Sequence, residues 1–582
     1  MRVSHITPVI ALTMFTLGAT ICSAASTPGI VAGVSRDRSL RDLGPAAATT
    51  RMGVGVMLAY RNRAELEQLV EEQSTSQSRQ FRRFLTRQQF NQRYAPSSTD
   101  YQRTIASLQS AGFSITRTYH NRTFIDASAP LWAVQRYFHT EIHLVAQPGH
   151  GVRFANVRPA TAPPELRGVI TGVAGLDNLV RFHTFNHVAS GINRPARAVT
   201  SSSSAAVLSP LFGPDFGYGP RALIGAYGLR TGSSLALGGG KATGTGQVAA
   251  IVVDADFLDS DLSSYLKYFR VNRTGRTVRV LIDGGPPSGV KNPGSIETTL
   301  DVETLASLAP AASLYVYEFP SFTNFSNETQ YILDAYEQAV DDAIAGTVNS
   351  SFGACEEKFG LSSFPQMSDE IALQGAALGM TFHAASGDAG SVGTGCSSTS
   401  VMSPASNPHF IAVGGTSLYE DPLSGALLHE FAWAGSGGGL SAIYPVPSYQ
   451  QGLSHVLLSG RNLPDVSFDG DPNTGVSFYY SGFPSGTGFI GPLGGTSLSS
   501  PIFGAGLTLA NQIAGSRAGF VNPSLYRTFR SYGYHGLVVT GGSPLFRDVT
   551  FGYNGFYNAG PGYDQVTGIG AMEFANLARF IR

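Results

Sequence analysis

Apolar residues along this chain follow two rhythms, and the rhythms mark two folded units. In the first unit Gly53-Val-Gly-Val-Met-Leu-Ala59 reads as a strand. Leu66, Leu69 and Val70 then share one face at helical spacing, and Asn62 with Glu65 has the spacing of a reciprocal helix cap. A second strand over Thr123–Ala127 and a helix over Ala133–Phe138 follow. Strand and helix alternate, which predicts a small α+β domain. In the second unit the strands lose their polar alternation. Gln247–Val253 and Ala312–Tyr317 are unbroken apolar runs, and a helix is predicted over Gln330–Ala345. Strands of that kind are buried on both faces, so the second unit is expected to be α/β with a mostly parallel central sheet.

The stretch between the units reads differently. Residues 186–219 are rich in breakers and include Ser201-Ser-Ser-Ser204, the composition of a linker open to proteolysis. At the N-terminus Arg2 precedes an apolar run from Val9 to Leu17, and Ala24 and Ala25 offer a cleavage site, as in an export signal. That run is too short to span a bilayer, and no later stretch looks transmembrane. The expected division is a signal peptide over 1–25, an irregular leader over 26–50, an activation propeptide domain over 51–185, a processed linker over 186–219 and a catalytic domain over 220–582. The product is expected to be secreted, extracellular or periplasmic in transit. Signal cleavage leaves Cys355 and Cys396, which could pair outside the cell; the sequence leaves that open. With no histidine near either, they make a poor zinc site.

Charge divides at the same linker. Up to Phe216 there are 22 Arg, no Lys and 12 acids; from Gly217 onward there are 17 Lys plus Arg and 28 acids. A basic first unit and an acidic second unit attract, and protonating carboxylates weakens that attraction. This suggests an inhibitory propeptide that lets go as pH falls. The basic half holds no clustered run, so nucleic acid is not an expected partner.

The sharpest chemical signal is Gly494-Gly-Thr-Ser-Leu-Ser-Ser-Pro501, with a helical run over Ile502–Ala510 behind it. A serine at a strand-to-helix turn exposes its hydroxyl and faces backbone N–H groups. Such a stretch is often only a turn, but Gly-Thr-Ser-x-x-x-Pro is how subtilisin-like folds present their serine. A nucleophilic serine needs a base. None of the 12 histidines lies in a subtilisin-like setting; His383, the best of them, ends an apolar strand and reads as structural. The base is then expected to be a carboxylate. In Gly294-Ser-Ile-Glu-Thr-Thr-Leu-Asp-Val-Glu-Thr-Leu305, capped by Ser295 and limited by Pro310, Glu297 and Asp301 lie four apart on one helical face. Two acids on a helix are usually solvated, yet their neighbours here are apolar. A third acid, Asp388, follows a strand in Ser386-Gly-Asp388, where sites on α/β sheets gather.

In this order these segments resemble the sedolisin/kumamolisin family of serine-carboxyl peptidases. The resemblance covers almost the whole chain. Arg51–Asn178, with Ser78-Arg-Gln-Phe-Arg-Arg-Phe-Leu-Thr-Arg-Gln-Gln-Phe90 and Val173-Ala-Gly-Leu-Asp177, looks like the family's activation domain. The catalytic half matches at Glu297 and Asp301, at Asn349-Ser-Ser-Phe-Gly-Ala-Cys-Glu356, at Ser386-Gly-Asp388 and at Gly495-Thr-Ser497. The resemblance implies a subtilisin-like fold and a self-processed zymogen that hydrolyses internal peptide bonds in acid. Ser497 would be the nucleophile and Glu297 its general base, oriented by Asp301. Asp388 would stand in the oxyanion hole and be protonated when the intermediate forms; free Asp titrates near ~3.9. Asp254 is a candidate supporting acid. One calcium ion is also implied, held by Asp548 and Asp564 and by main-chain oxygens of Val549, Gly560 and Gly562, with water; few acids among many Gly carbonyls suit a hard cation. Expected partners are protein or peptide substrates and the chain's own propeptide, the mature enzyme being a monomer without a membrane span. Two alternatives stay open: a catalytically inactive secreted binding protein on the same scaffold, and a histidine-dependent subtilase.

Overall fold

The structure, a computed structural model, describes residues 40–149, 151–189, 211–229, 242–290, 292, 294–321, 328–359, 362–483, 488–534 and 544–580. The expected signal peptide, residues 26–39 of the leader and residues 190–210 of the linker lie outside the described residues.

The N-terminal unit holds two antiparallel sheets. Its strands are β1 (Arg41–Pro45), β2 (Arg51–Leu58), β3 (Ser114–Thr118), β4 (Phe124–Pro130), β5 (Ile142–Gln147), β6 (Gly151–Asn156) and β7 (Ile170–Ala174), in orders β3-β4-β2-β7 and β1-β5-β6. Within the segment read as irregular leader, Arg41–Pro45 is therefore a strand, because β5 offers it a free edge. The expected helix is α1 (Arg63–Ser74), which buries Leu66, Leu69 and Val70. The expected cap does not form. Asn62 takes φ 54° and its side chain caps nothing. Glu65 turns instead to Arg93 at 2.9 Å and the Tyr94 hydroxyl at 3.0 Å. The same unit also carries α2 (Arg87–Arg93), α3 (Ser98–Ser110) and α4 (Leu131–Tyr137).

After two short strands in the connecting segment, β8 (His183–Thr184) and β9 (His187–Val188), the larger unit begins with α5 (Pro220–Ala226). Its elements then run β10 (Val248–Val253), α6 (Asp259–Tyr268), β11 (Thr277–Leu281), α7 (Ser295–Leu308), β12 (Ser313–Glu318), α8 (Glu328–Asp342), β13 (Thr347–Ser350), β14 (Phe352–Cys355), α9 (Phe364–Ala377), β15 (Thr381–Ala385), β16 (Met402–Ser403), β17 (Phe410–Glu420) and β18 (Leu427–Ala432). An eight-stranded sheet has the order β11-β12-β10-β13-β15-β17-β18, with Val466–Asp469 also paired to β17. Only the β17–β18 pair is antiparallel. The α/β subtilisin-like fold with a mostly parallel sheet thus stands as expected. Ala250–Val253 are buried on both faces, which is why this segment lacks alternation.

The two units dock through charged and polar side chains. Arg63 meets Glu370 at 2.6 Å, Arg117 meets Asp283 at 3.2 Å and His120 meets Asp341 at 2.8 Å. Buried acids of α8 line the same contact: Glu337 accepts hydrogen bonds from Asn121 and Thr123. Cys355 and Cys396 form a disulfide, S–S 2.09 Å, which closes the question left open by the sequence. Among the described residues no helix is long and apolar enough to cross a membrane.

Candidate active site

The strand Gly488–Gly494 ends at Gly495, and α10 (Thr496–Ala514) begins immediately after it. Gly495 has φ +119°, a conformation that favours glycine. It also has no room for a side chain: a Cβ there would stand 2.0 Å from the Phe185 carbonyl oxygen and 2.5 Å from Asp388 Oδ2. The turn therefore brings Ser497, Asp388 and the connecting segment to one point. Ser497 sits in the first turn of α10, at the helix's positive end.

α7 packs along α10 and carries both predicted carboxylates inward. Glu297 is 1% exposed and Asp301 fully buried. Ser295, read as the cap, is instead the first helical residue behind Gly294. Burial, then the charge of Asp301, drives the Glu297 carboxyl well above its usual range; Asn186 and Ser497 pull it the other way. Asp301 is raised by burial as well, against hydrogen bonds from Ser351 Oγ at 2.7 Å and Asn349 Nδ2 at 2.9 Å. The like-charged spacing that would be costly on a solvated helix is eased here because burial favours the protonated form of each carboxyl. Asp388 lies beyond β15 on a turn through Gly387. Its Oδ1 accepts from Thr496 N at 2.7 Å and Thr496 Oγ1 at 2.8 Å. Burial raises its carboxyl too.

The structure thus gathers all four predicted residues. It also places residues that sequence reasoning passed over. The segment read as the end of the propeptide and the start of a loose linker runs through the site as an extended strand. β8 pairs antiparallel with β14, and β9 pairs antiparallel with the strand that leads into Gly495. Between them the Phe185 carbonyl accepts from Ser497 N at 3.1 Å. Phe185 N donates to Ser497 Oγ at 3.0 Å, and that hydroxyl donates to the Ser351 carbonyl, also at 3.0 Å. Asn186 Nδ2 donates to Glu297 Oε2 at 2.6 Å, and His187 Nε2 stands 3.2 Å from Asp388 Oδ2. No local signal in Thr184-Phe-Asn-His187 announces this. Asn349 and Ser351 were legible as a motif, though without a role.

His383 lies elsewhere in the network. Its Nδ1 bonds Ser500 Oγ at 3.0 Å, and that hydroxyl donates to Asn349 Oδ1 at 2.7 Å, so Nδ1 carries the proton. Burial lowers this imidazole to about 3. Asp254 rests against Gly294 at the start of α7, pushed up to about 6 by burial.

At the C-terminus the two predicted metal-binding acids converge on one glycine-rich loop. Asp548 Oδ2 accepts from Gly562 N and Asp564 Oδ2 from Gly560 N, both at 3.1 Å, beside the buried Val549. Among the described residues no group of three or more His, Cys, Asp or Glu side chains converges. The side-chain donors here are two carboxylates, hard oxygen ligands of the kind a divalent cation such as calcium takes.

Known proteins resemble this chain over most of its length. The family model of the pro-kumamolisin activation domain matches residues 38–179. Sedolisin of Pseudomonas sp. (strain 101) is 30% identical over 569 residues, spanning 94% of this chain and 89% of its own. The chain belongs to the sedolisin family. Kumamolisin of Bacillus sp. (strain MN-32) is 28% identical, covering 91% of each chain, and human tripeptidyl-peptidase 1 is 28% identical, covering 92% of each. The solved structure of Pseudomonas sedolisin with two molecules of pseudo-iodotyrostatin superposes with a TM-score of 0.54 at 29% identity, over 63% of this chain and 98% of that one. The protein is accordingly a sedolisin-family serine-carboxyl peptidase carrying its pro-domain, a zymogen.

Proposed function

We propose that this sedolisin-family zymogen matures into a secreted endopeptidase that works in acid, with Ser497, Glu297 and Asp301 as its triad and Asp388 in the oxyanion hole. The observation that carries the reading is the Phe185 carbonyl held on the Ser497 N–H, with three buried carboxyls around that one peptide unit. In this reading Ser497 Oγ attacks a substrate carbonyl carbon while Glu297 takes its proton. Asp301, fixed by Ser351 and Asn349, holds Glu297 in place and keeps its proton affinity high. Glu297 then hands the proton to the departing amine, and water hydrolyses the acyl-enzyme. Asp388 must be protonated to donate to the oxyanion, since a carboxylate there would repel it. Burial raises its carboxyl, which favours the protonated form. The propeptide blocks the cleft by lying in it.

The apolar stretch after Arg2 supports export. One calcium ion is proposed on Asp548 and Asp564 with main-chain oxygens of Val549, Gly560 and Gly562, where it would pin the C-terminal loop. The test is self-processing. The precursor is moved from pH 7 to about pH 4, near the free Asp value, and its mass is followed beside Ser497→Ala. Cleavage by the wild type alone supports the reading. If neither protein is cut and neither digests an unfolded substrate, the inactive-scaffold alternative replaces it. Cleavage confined to neutral pH removes the carboxylate mechanism.

A further inference from the structure

A cavity of about 550 Å³ lies where the N-terminal unit meets α8, and none of the four active-site residues lines it. Both antiparallel sheets of that unit form its walls, through Met52 and Ala127 of one and Ile142 and Phe154 of the other. Tyr331 of α8 and Asp283 close it from the larger unit, and the exposed Ala47 and Thr50 stand at its mouth. The wall is mostly apolar, and its buried polar part is acidic. Asp126, 2% exposed, lines the cavity from β4. It accepts from the Tyr119 hydroxyl at 3.1 Å and from Gln330 Nε2 at 3.3 Å. Asp334 of α8, 1% exposed, lies within hydrogen-bonding reach of Asp126 on one side and Asp283 on the other. Its Oδ1 receives no amide, hydroxyl or guanidinium donor. Glu337, on the same helix, adds a further repulsion with Asp126. Against these acids stands Arg117, 3.2 Å from Asp283; Arg51, at the mouth, is exposed and donates to Ser128. The carboxyls form a row rather than a ring. Among the described residues no three His, Cys, Asp or Glu side chains converge, so the row is not a metal cradle. Buried acids in excess of their cations call for positive charge. An apolar chamber that ends on such a row is complementary to a compact cation on an apolar tail.

We propose that this cavity binds a primary alkylamine, its ammonium on Asp126 and its chain between the two sheets, and that the bound amine ties the N-terminal unit to α8. An ammonium carries three N–H donors, which match the acceptors that Asp126 and Asp334 present. The proton is its competitor. Burial pushes the Asp126 carboxyl up to about 6, against the hydrogen bonds of Asp334 and Tyr119 and the charge of Arg117, with Asp283 adding to the rise. Below that pH the carboxyl is neutral and offers the ammonium no charge; above it the ammonium takes the place of the proton. Binding is therefore tight at neutral pH and weakens in acid.

Octylamine is titrated into the Ser497→Ala precursor by calorimetry, beside octanol, octanoate and butylamine. At about pH 7.5 octylamine should occupy one site at least about tenfold more tightly than octanol or octanoate, as expected of a hydrogen bond to a charged group. Butylamine should be weaker by about fourfold for each CH₂ removed. At about pH 5 the octylamine affinity should fall about tenfold, because only about a tenth of Asp126 is then ionised. Asp126→Asn should erase the preference for amine over alcohol while octanol still binds, which reports that the cavity is intact. Ala47→Trp, at the mouth, should weaken both. In the wild-type precursor at about pH 6, octylamine at about ten times its Kd should lengthen the half-time of self-processing; this arm alone rests on the peptidase reading of Ser497. No binding, equal affinity for amine and alcohol, affinity that rises in acid, or binding unmoved in both variants overturns the proposal. An unchanged half-time with the site filled overturns the tie between the units. A precursor that never processes tells against the peptidase reading, and the calorimetry then decides the amine site by itself.

Discussion

The side-chain amide of Asn186 donates to Glu297 Oε2 across 2.6 Å, so the connecting segment rests a hydrogen-bond donor on the group proposed as general base. While it stays there, the amide competes with the Ser497 proton for that carboxylate. Hydrogen bonds to charged groups contribute about 1.5–3 kcal/mol. Asn186→Ala in the precursor should therefore shorten the half-time of self-processing about tenfold at fixed pH, read by mass against time. An unchanged or longer half-time would mean that Glu297 is not held back by this contact.

His187 provides a second restraint with a definite sign. Its imidazole, 3.2 Å from Asp388, lowers the Asp388 carboxyl by hydrogen bonding and by charge, against a larger upward effect of burial. Removing it lets Asp388 take up its proton at higher pH. His187→Ala should move the pH midpoint of self-processing upward, and a shift downward would contradict the protonated-Asp388 mechanism.

The carboxylate and histidine mechanisms part at two substitutions. Glu297→Gln should lower kcat about 10⁴-fold or more, in line with loss of a triad base. His383→Gln should leave kcat within about tenfold, because that imidazole bonds Ser500 rather than serving Ser497 and is lowered to about 3. The opposite ranking in single-turnover assays would restore the histidine reading.

Stability should rise toward acid. Burial pushes Glu328 and Glu337 up to about 7, and Asp126 and Asp177 up to about 6. The unfolded carboxyls titrate near about 4. Between those limits the folded chain binds more protons than the unfolded chain, so stability present in acid is lost as pH rises through about 6–7. The Ser497→Ala precursor should melt several degrees higher at pH 5 than at pH 8 by calorimetry, and the reverse order would refute the assignment. Glu337 and Asp126 also line the contact between the two units. Their protonation works against the simple expectation that acid loosens the propeptide by discharging it. The trigger is better sought at Asp388 and Glu297.

Chelation tests the metal proposal. Removing calcium should lower Tm, since a ligand bound only by the folded state stabilises it by mass action. Asp564→Ala should melt low with or without chelator. A wild-type Tm indifferent to chelator would remove the calcium site.

Much of the fold was legible because its cause is local. The unbroken apolar run ending at Val253 can only be a strand covered on both faces, and the structure buries Ala250–Val253 in the middle of the sheet. The caps were less legible. Asn62 has the right residue type and spacing, but a backbone angle of 54° turns its side chain away, and no composition rule reports that. The disulfide belongs to the same class: two cysteines 41 residues apart carry no information on geometry until β14 and β16 pair.

The sequence by itself determined the chemistry on offer. It placed Glu297 and Asp301 one helical turn apart, set Ser497 behind a glycine at a strand-to-helix turn, and ended an apolar strand at Asp388. Those are short-range facts, and the physics that makes them meaningful acts within a few residues. Tertiary structure alone decided that the helices α7 and α10 lie side by side, that all three carboxyls are buried, and that Phe185, Asn186 and His187 lie in the cleft. Burial and protonation depend on neighbours hundreds of residues away, so the state in which the site waits is a property of the fold and not of any motif.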